Sequence, residues 1–238
     1  LAWGWVELPG NLDLLVDPAH LYLAVEVLRW FHQVATTDHL TVTVLDTEGH
    51  LVEALVSMGY QLQTEGLFFR HCWMSLVGDL PLPDVPEGFV LRHVRRPDVE
   101  SRVRVHQAAF DPSRVSIESY SNVMDAWPYR ADLDWVIQAP KGELASFALA
   151  WLDDVNRVGE LEPVGTDPIY RGLGLGRAVS LAALHALRNA GAENAVVYPR
   201  GDDAYPIPAR LYGGMGFVPP ARTVTYEHWL KHSLVRKV

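Results

Sequence analysis

Apolar and polar positions along residues 89–238 switch repeatedly between a period of two and a helical period. Residues 89–94 form a short β-rich run, and residues 98–110 carry Val99, Val103, His106 and Phe110 at helical spacing. Ser116 is placed to cap a second helix running to Trp127, which Pro128 ends. Residues 133–138 and 143–152 read as a hairpin turned across Ala139, Pro140, Lys141 and Gly142. A fourth strand at 159–165 leads to a glycine-rich turn at 171–176. The helix after it runs to about Ala190, with Leu175, Val179, Ala182, Ala183, Ala186 and Leu187 on one broad face and Gly191 as its stop. A strand at 194–198, a short helix at 207–215 and a last strand at 224–230 complete the order. Alternation of strands and helices in the second half predicts parallel neighbours joined by a crossover helix, and so a mixed α/β sheet.

Residues 80–88 hold Pro81, Pro83, Pro86 and Gly88 between two patterned regions, which predicts an extended linker between a unit at 1–79 and a domain at 89–238. The first unit repeats the second half of the later pattern. Asp17 and Pro18 precede a helical stretch at 20–34 as Asp167 and Pro168 precede the glycine turn and its helix; residues 39–45 parallel 194–198. Met58, Gly59 and Tyr60 parallel Met215, Gly216 and Phe217, and residues 67–73 stand where 224–230 stand. The expectation is a degenerate internal repeat, with a partial first unit lacking the strand and helices that open the complete one.

Composition narrows the class. With 49% hydrophobic and 21% charged residues the chain folds around apolar cores. Its apolar runs are far shorter than the ~20 residues of a membrane-spanning helix, and no basic segment followed by an apolar one opens it. A single cysteine, Cys72, precludes an intrachain disulfide and fits a reducing, cytoplasmic setting. A net charge of −9 argues against a nucleic-acid partner. The ten histidines form no metal-ligand spacing, so no metal is expected. Trp127 and Trp135 read first as packed aromatics, and Asp111, Ser113 and Ser116 sit in the loop between the first two helices of the domain.

The turn from Arg171 through Gly172, Leu173, Gly174, Leu175 and Gly176 to Arg177 fits R-x-x-G-x-G between a strand and a helix. Such a turn leaves backbone N–H groups free at a helix N-terminus, where the macrodipole adds positive charge and glycines let phosphate oxygens approach. A pyrophosphate is the natural ligand. A P-loop would need Lys and Ser or Thr after Gly176, where Arg177 and Ala178 stand; a dinucleotide fold would need a third glycine where Arg177 stands.

Gly159, Glu160, Leu161, Glu162, Pro163, Val164, Gly165 and Thr166, then the glycine turn, then Ala209, Arg210, Leu211, Tyr212, Gly213, Gly214, Met215, Gly216 and Phe217 together resemble the GNAT superfamily of N-acyltransferases, in its order and at its separations. The resemblance implies a mixed sheet split between its fourth and fifth strands, with acyl-CoA in the split. The layout of one partial and one complete unit is similar to tandem members. Carried over by position, Arg171, Gly172, Leu173, Gly174, Leu175, Gly176 and Arg177 would surround the pyrophosphate. Val164, Gly165 and Thr166 would pair with the pantetheine arm, and Tyr205 occupies the position of an asparagine that contacts that arm in many members. Tyr212 matches a tyrosine that protonates the leaving thiolate. Glu160 and Glu162, two apart on a strand and so on one face, are alternative bases for the ammonium proton. The implied activity is transfer of an acetyl or related short acyl group from acetyl-CoA to a small-molecule or peptide amine, directly in a ternary complex and in a monomer or homodimer. A non-catalytic acyl-CoA-binding module is the alternative. The first unit has Leu21 to Glu26 where the glycine turn would stand and is not expected to bind CoA.

Overall fold

A computed structural model describes residues 1–230. In chain order the elements are β1 (Ala2–Glu7), β2 (Asn11–Val16), α1 (Tyr22–Val34), β3 (His39–Leu45), α2 (Gly49–Ser57), β4 (Gln61–Leu62) and β5 (Arg70–Ser75). There follow β6 (Val90–His93), α3 (Val99–Ala109), α4 (Ile117–Asp125), β7 (Asp134–Gln138), β8 (Leu144–Asp153), β9 (Val158–Thr166), α5 (Leu175–Asn189), β10 (Asn194–Val197), α6 (Ile207–Gly213) and β11 (Val218–Trp229). The predicted elements of residues 89–230 are all present. Some boundaries move. α4 stops at Asp125 because Trp127, preceding Pro128, is sterically turned away from helix, and β11 begins at Val218 rather than residue 224. Residues 231–238 of the expected domain lie outside the described residues. The β1–β2 hairpin was not anticipated, although Leu12, Leu14 and Val16 alternate with exposed neighbours as a half-buried strand should.

Contacts sort the described residues into two units, one of Leu1–His71, Tyr198–Ala209 and residues 219–230, the other of Cys72–Val197 and Arg210–Val218. This division cuts across the linker boundary because pairing between distant strands outweighs proximity along the chain. β5 pairs antiparallel with β10, Cys72 opposite Val197, inside the second unit; β11 pairs antiparallel with β3, Tyr226 opposite Val42, inside the first.

In the first unit β1 pairs antiparallel with β2, and β2 pairs parallel with β3 over Asn11 to Asp13. One face of this sheet buries Leu12, Leu14, Leu40, Val42 and Val44 against Ala24, Leu28 and Phe31 of α1 and Leu51 and Leu55 of α2.

The second unit orders its sheet β5-β10-β9-β8-β7-β6, with β9 and β10 the parallel pair. One face packs on α5, whose Val179, Leu181, Ala183, Leu184 and Leu187 are buried with Ile137, Ala148, Ala150 and Leu161. The approach is close: a Cβ added to Gly159 would lie 2.4 Å from Leu187 Cδ1. The other face carries α3 and α4 around Val103, Val105, Tyr120, Met124, Val136 and Phe147.

Into that second layer the fold buries an ion pair. Arg102 is 1% and Asp134 0% exposed, with Arg102 Nε 3.8 Å from Asp134 Oδ1. Tyr120 Oη donates to Asp134 Oδ2, as does Tyr129 Oη at 3.2 Å, and the guanidinium lies over the Phe147 ring at 3.6 Å. Removing one charge leaves the other desolvated and unpaired. Asp134→Ala is therefore expected to lower stability by about 3–5 kcal/mol, and the apolar double variant Arg102→Met/Asp134→Leu to recover most of that loss; the check is the urea midpoint of each variant.

Candidate active site

The site begins where β9 outruns its neighbour. β9 and β10 pair only from Val158–Asn194 to Glu160–Val196, while β9 continues to Thr166. At the same point β9 carries a bulge: Leu161 lies opposite Ala150 and Val164 opposite Ala148, so Glu162 and Pro163 together face one residue of β8. A bulge re-aims side chains and bends the strand. The expected split of the sheet between its fourth and fifth strands is this divergence. Beyond Glu160 the edge of β9 toward β10 has no strand partner among the described residues, which suits it to take an extended ligand by backbone pairing.

Glu160 and Glu162 bracket the start of the gap. Leu161 is buried under α5, so its two neighbours project to the opposite face. Glu160 is half-buried and Glu162 accessible. Burial raises the pKa of Glu160 above the usual carboxylate range; burial and then the neighbouring Glu160 charge push Glu162 up to about 7. Glu162 is thus exposed as a residue, yet enough protein surrounds its carboxyl to disfavour the charge. Trp151 Nε1 donates to Glu162 O at 2.7 Å and fixes the bulge, a role that an indole in an apolar run did not announce. A cavity of about 440 Å³ beside Glu160 is lined by Trp151, Asp153, Asn156, Val158 and Val196 as well.

Farther along β9, Val164, Gly165 and Thr166 are half-buried. Thr166 Oγ1 lies 2.8 Å from Ser146 Oγ, which also bonds Gly165 O at 2.9 Å. A Cβ on Gly165 would lie 2.5 Å from the Phe147 ring and 2.8 Å from Ala109 Cβ, so this glycine lets α3 close on the sheet while its peptide stays at the gap.

Asp167 Oδ1 then accepts from Ile169 N at 3.0 Å and starts the turn. Gly172 and Gly174 have φ of +82° and +78°, left-handed conformations that only glycine takes freely. An added Cβ at either would meet nothing within 4 Å, so the space above the turn is open. Gly174 caps α5, and the first helical bond runs from Ala178 N to Gly174 O at 3.0 Å. The N–H groups of Leu175, Gly176 and Arg177 precede it and are left for an anion. The Leu175 side chain is buried and anchors the turn in the core. Arg171 Nε lies 3.4 Å from Thr166 O and its Nη2 3.4 Å from Ala109 O, tying the turn to the end of β9.

Tyr212 lies on α6 and is 6% exposed, its ring edge-to-face with Phe217 at 5.6 Å. Burial raises its pKa, with further upward contributions from the Glu162 charge and from Cys72, so the phenol keeps its proton at neutral pH. Glu162 and Tyr212 are therefore within electrostatic reach of each other. Tyr205 lies in the first unit, where its N–H bonds Asp202 O at 3.4 Å and the residue is 37% exposed. Trp127 is 94% exposed, and Trp135 packs into the α5-side core. Ser116 caps α4, and Ser113 Oγ bonds His106 Nδ1 at 3.1 Å.

Residues 102–217 match the acetyltransferase (GNAT) family. The chain is 31% identical over 233 residues to a mycothiol acetyltransferase of Saccharomonospora viridis, an alignment spanning 90% of this chain and 72% of that protein. A mycothiol acetyltransferase of Kineococcus radiotolerans is 32% identical over 229 residues, with 90% and 71% covered; for one of Kytococcus sedentarius the identity is 32% over 162 residues, covering 62% of this chain and 51% of that protein. Among solved structures, a GCN5-related N-acetyltransferase from Sphaerobacter thermophilus superposes with a TM-score of 0.74 at 17% identity, over 96% of this chain and 76% of that one. A tandem GNAT protein from the clavulanic acid biosynthesis pathway does so at 0.68 and 17%, over 94% and 76%. Open strand edge, glycine turn and family relationship agree: the chain belongs to the acetyltransferase (GNAT) family of acyl-CoA-dependent N-acetyltransferases.

Proposed function

We propose that the second unit transfers an acetyl group from acetyl-CoA to an amine, with Glu162 as the base and Tyr212 as the acid. One observation carries this assignment. At the open end of β9, a carboxyl whose pKa is raised to about 7 sits within electrostatic reach of a buried, protonated phenol. Acetyl-CoA would supply the activated acyl group as a thioester. The free N–H groups from Leu175 to Arg177 and the glycines of the turn would hold its pyrophosphate, and the edge of Val164, Gly165 and Thr166 its pantetheine arm. An amine attacks only when unprotonated. Glu162, being half ionised near neutrality, can take the ammonium proton at its carboxylate. Tyr212 Oη holds the proton that the departing thiolate requires. Glu160, on the same face and lining the 440 Å³ cavity, is assigned to the acceptor. The shared name of the relatives makes the acceptor of mycothiol acetyltransferases the first amine to test.

The tandem reading belongs to the same proposal, and it is supported by local geometry that occurs twice. Asp17 Oδ1 accepts from Ala19 N at 2.9 Å as Asp167 Oδ1 accepts from Ile169 N. Gly59 and Gly216, at φ of +83° and +102°, each end a helix; Tyr60 N bonds back to Leu55 O at 3.0 Å as Phe217 N bonds back to Tyr212 O at 3.1 Å. In this register Leu55 stands where the phenol of Tyr212 stands. The N-cap of α1 is Leu21, with φ of −52°, whereas α5 is capped by a left-handed glycine. The first copy thus keeps the scaffold and lacks both the anion turn and the acid.

Two outcomes test the assignment. Gly174→Glu forces a side chain into the left-handed cap and sets a carboxylate where the phosphates would sit; acetyl-CoA should then give no calorimetric binding at concentrations that saturate the wild type, and unchanged binding would reduce the turn to scaffold. The base works only when deprotonated, so kcat/KM of the wild type should rise with pH through about 7 and level off above it. Glu162→Gln should abolish that limb and lower kcat roughly 100- to 10,000-fold while acetyl-CoA still binds. An intact limb in the variant moves the role to Glu160.

A further inference from the structure

Trp151 stands on β8 opposite Glu160 of β9, so the two side chains leave the sheet on one face. Glu162 is the diagonal neighbour two positions on, about 7–8 Å away in a regular ladder and within reach of an aromatic side chain. The ladder is not regular there. Glu162 and Pro163 together face one residue of β8, and a bulge leaves part of its backbone without ladder partners. Pro163 brings no N–H, and the carbonyl that precedes it, that of Glu162, takes its hydrogen bond from the Trp151 indole at 2.7 Å. An indole has one donor and no acceptor; here that donor is given to the main chain of the bulge.

The Glu162 Cα is bonded to the carbonyl carbon that the indole pins, so the indole fixes the point from which the carboxyl side chain departs. The half-buried ring lies on the same face as that side chain and forms a wall of the cavity of about 440 Å³ beside Glu160. A large apolar ring displaces water that would otherwise hydrate a carboxylate, and burial, ahead of the Glu160 charge, is what raises Glu162 to about 7. The titratable groups about Glu162 are Glu160 on its own strand, the Tyr212 phenol on α6 and, within electrostatic reach of that phenol, Cys72 on β5. From β8 the neighbour is Trp151, which does not titrate.

We propose that Trp151 is a positioning residue for acetyl transfer: its indole N–H holds the Glu162 peptide in the bulge, and its ring shields the Glu162 carboxyl from water. The acceptor cavity and the base then share one wall, so the side chain that frames the incoming amine also keeps the base in register with it. This rests on the reading of Glu162 as the base, and it adds a residue of β8, a strand that carries none of the motif positions.

Two variants separate the two parts. Trp151→Phe keeps a ring and loses the donor; Trp151→Val, a residue suited to a strand, loses both. Each is examined by carbon NMR titration of the side-chain carboxyls in the free enzyme, the Glu162 signal being assigned by its loss in Glu162→Gln. Kinetics across pH follow with acetyl-CoA and one amine, chosen from a panel of amino sugars, polyamines, amino acids and lysyl peptides as the one that releases thiol fastest with the wild type. Trp151→Phe should lower kcat roughly 10- to 100-fold, the effect of a misplaced catalytic group, with KM for acetyl-CoA unchanged and Glu162 still titrating near 7. Trp151→Val should in addition move the Glu162 titration and the kcat/KM limb together to lower pH, because a hydrated carboxylate holds its proton less tightly. Wild-type kcat in Trp151→Phe would overturn the positioning role, and an unmoved Glu162 titration in Trp151→Val the shielding role. A rise confined to KM for the amine in both variants would overturn both and leave Trp151 as a wall of the cavity alone. A Glu162 titration that moves in Trp151→Val while the kcat/KM limb stays would uphold the shielding and sink Glu162 as the base.

Discussion

A backbone that leaves its ladder must find other partners for its N–H and C=O groups or remain open to solvent. Everything chemical in the second unit follows from the place where β9 makes that departure. Pairing with β10 holds through Glu160, the bulge at Glu162 and Pro163 bends the strand away, and the edge from Leu161 to Thr166 is freed. The constraint acts on both sides. Toward β8 the register recovers after the bulge and the core stays closed, with Ala148 opposite Val164. Toward β10 the sheet opens, and beyond Glu160 the peptide edge of β9 faces the opening.

The opening is also where charge is poorly hydrated. Glu162 is pushed up by burial and by Glu160, while Tyr212 is pushed up by burial and by Glu162. The two groups are thereby kept apart in protonation: one loses its proton near neutrality and the other retains it. The positive end of α5 lies beyond the far end of the same strand, with Gly176 packed so close that a Cβ would lie 3.3 Å from Thr166 Oγ1. Glycine therefore serves this site in two ways. At Gly172 and Gly174 it permits the backbone of the turn, and at Gly159, Gly165 and Gly176 it lets helices settle against β9.

Local features were readable in the amino-acid sequence. The glycine turn, the α5 face closed by Gly191, the Ser116 cap and the two carboxylates two apart on a strand depend on neighbours along the chain. Features set by distant partners were not. Nothing local to Arg70–Ser75 or Val218–Trp229 says which sheet will take them, and the contact units follow that choice rather than the prolines of the linker. Arg102 and Asp134 read as ordinary charged positions, since their burial depends on tyrosines from α4 and from the loop before β7. The β1–β2 hairpin was obscured because Trp3 and Trp5, which would normally mark a buried face, are exposed. The raised pKa of Glu162 likewise depends on surroundings that no spacing rule encodes.

The strand assignments bear on how the chain folds as it is made. β5 is synthesised early yet waits for β10, its antiparallel partner in the second unit; the first unit waits longer still, because β11, the partner of β3, is the last described element to be translated. Neither sheet can close while only residues 1–79 have left the ribosome. Each sheet therefore closes only after a partner strand far along the chain has been made, which delays its completion during synthesis.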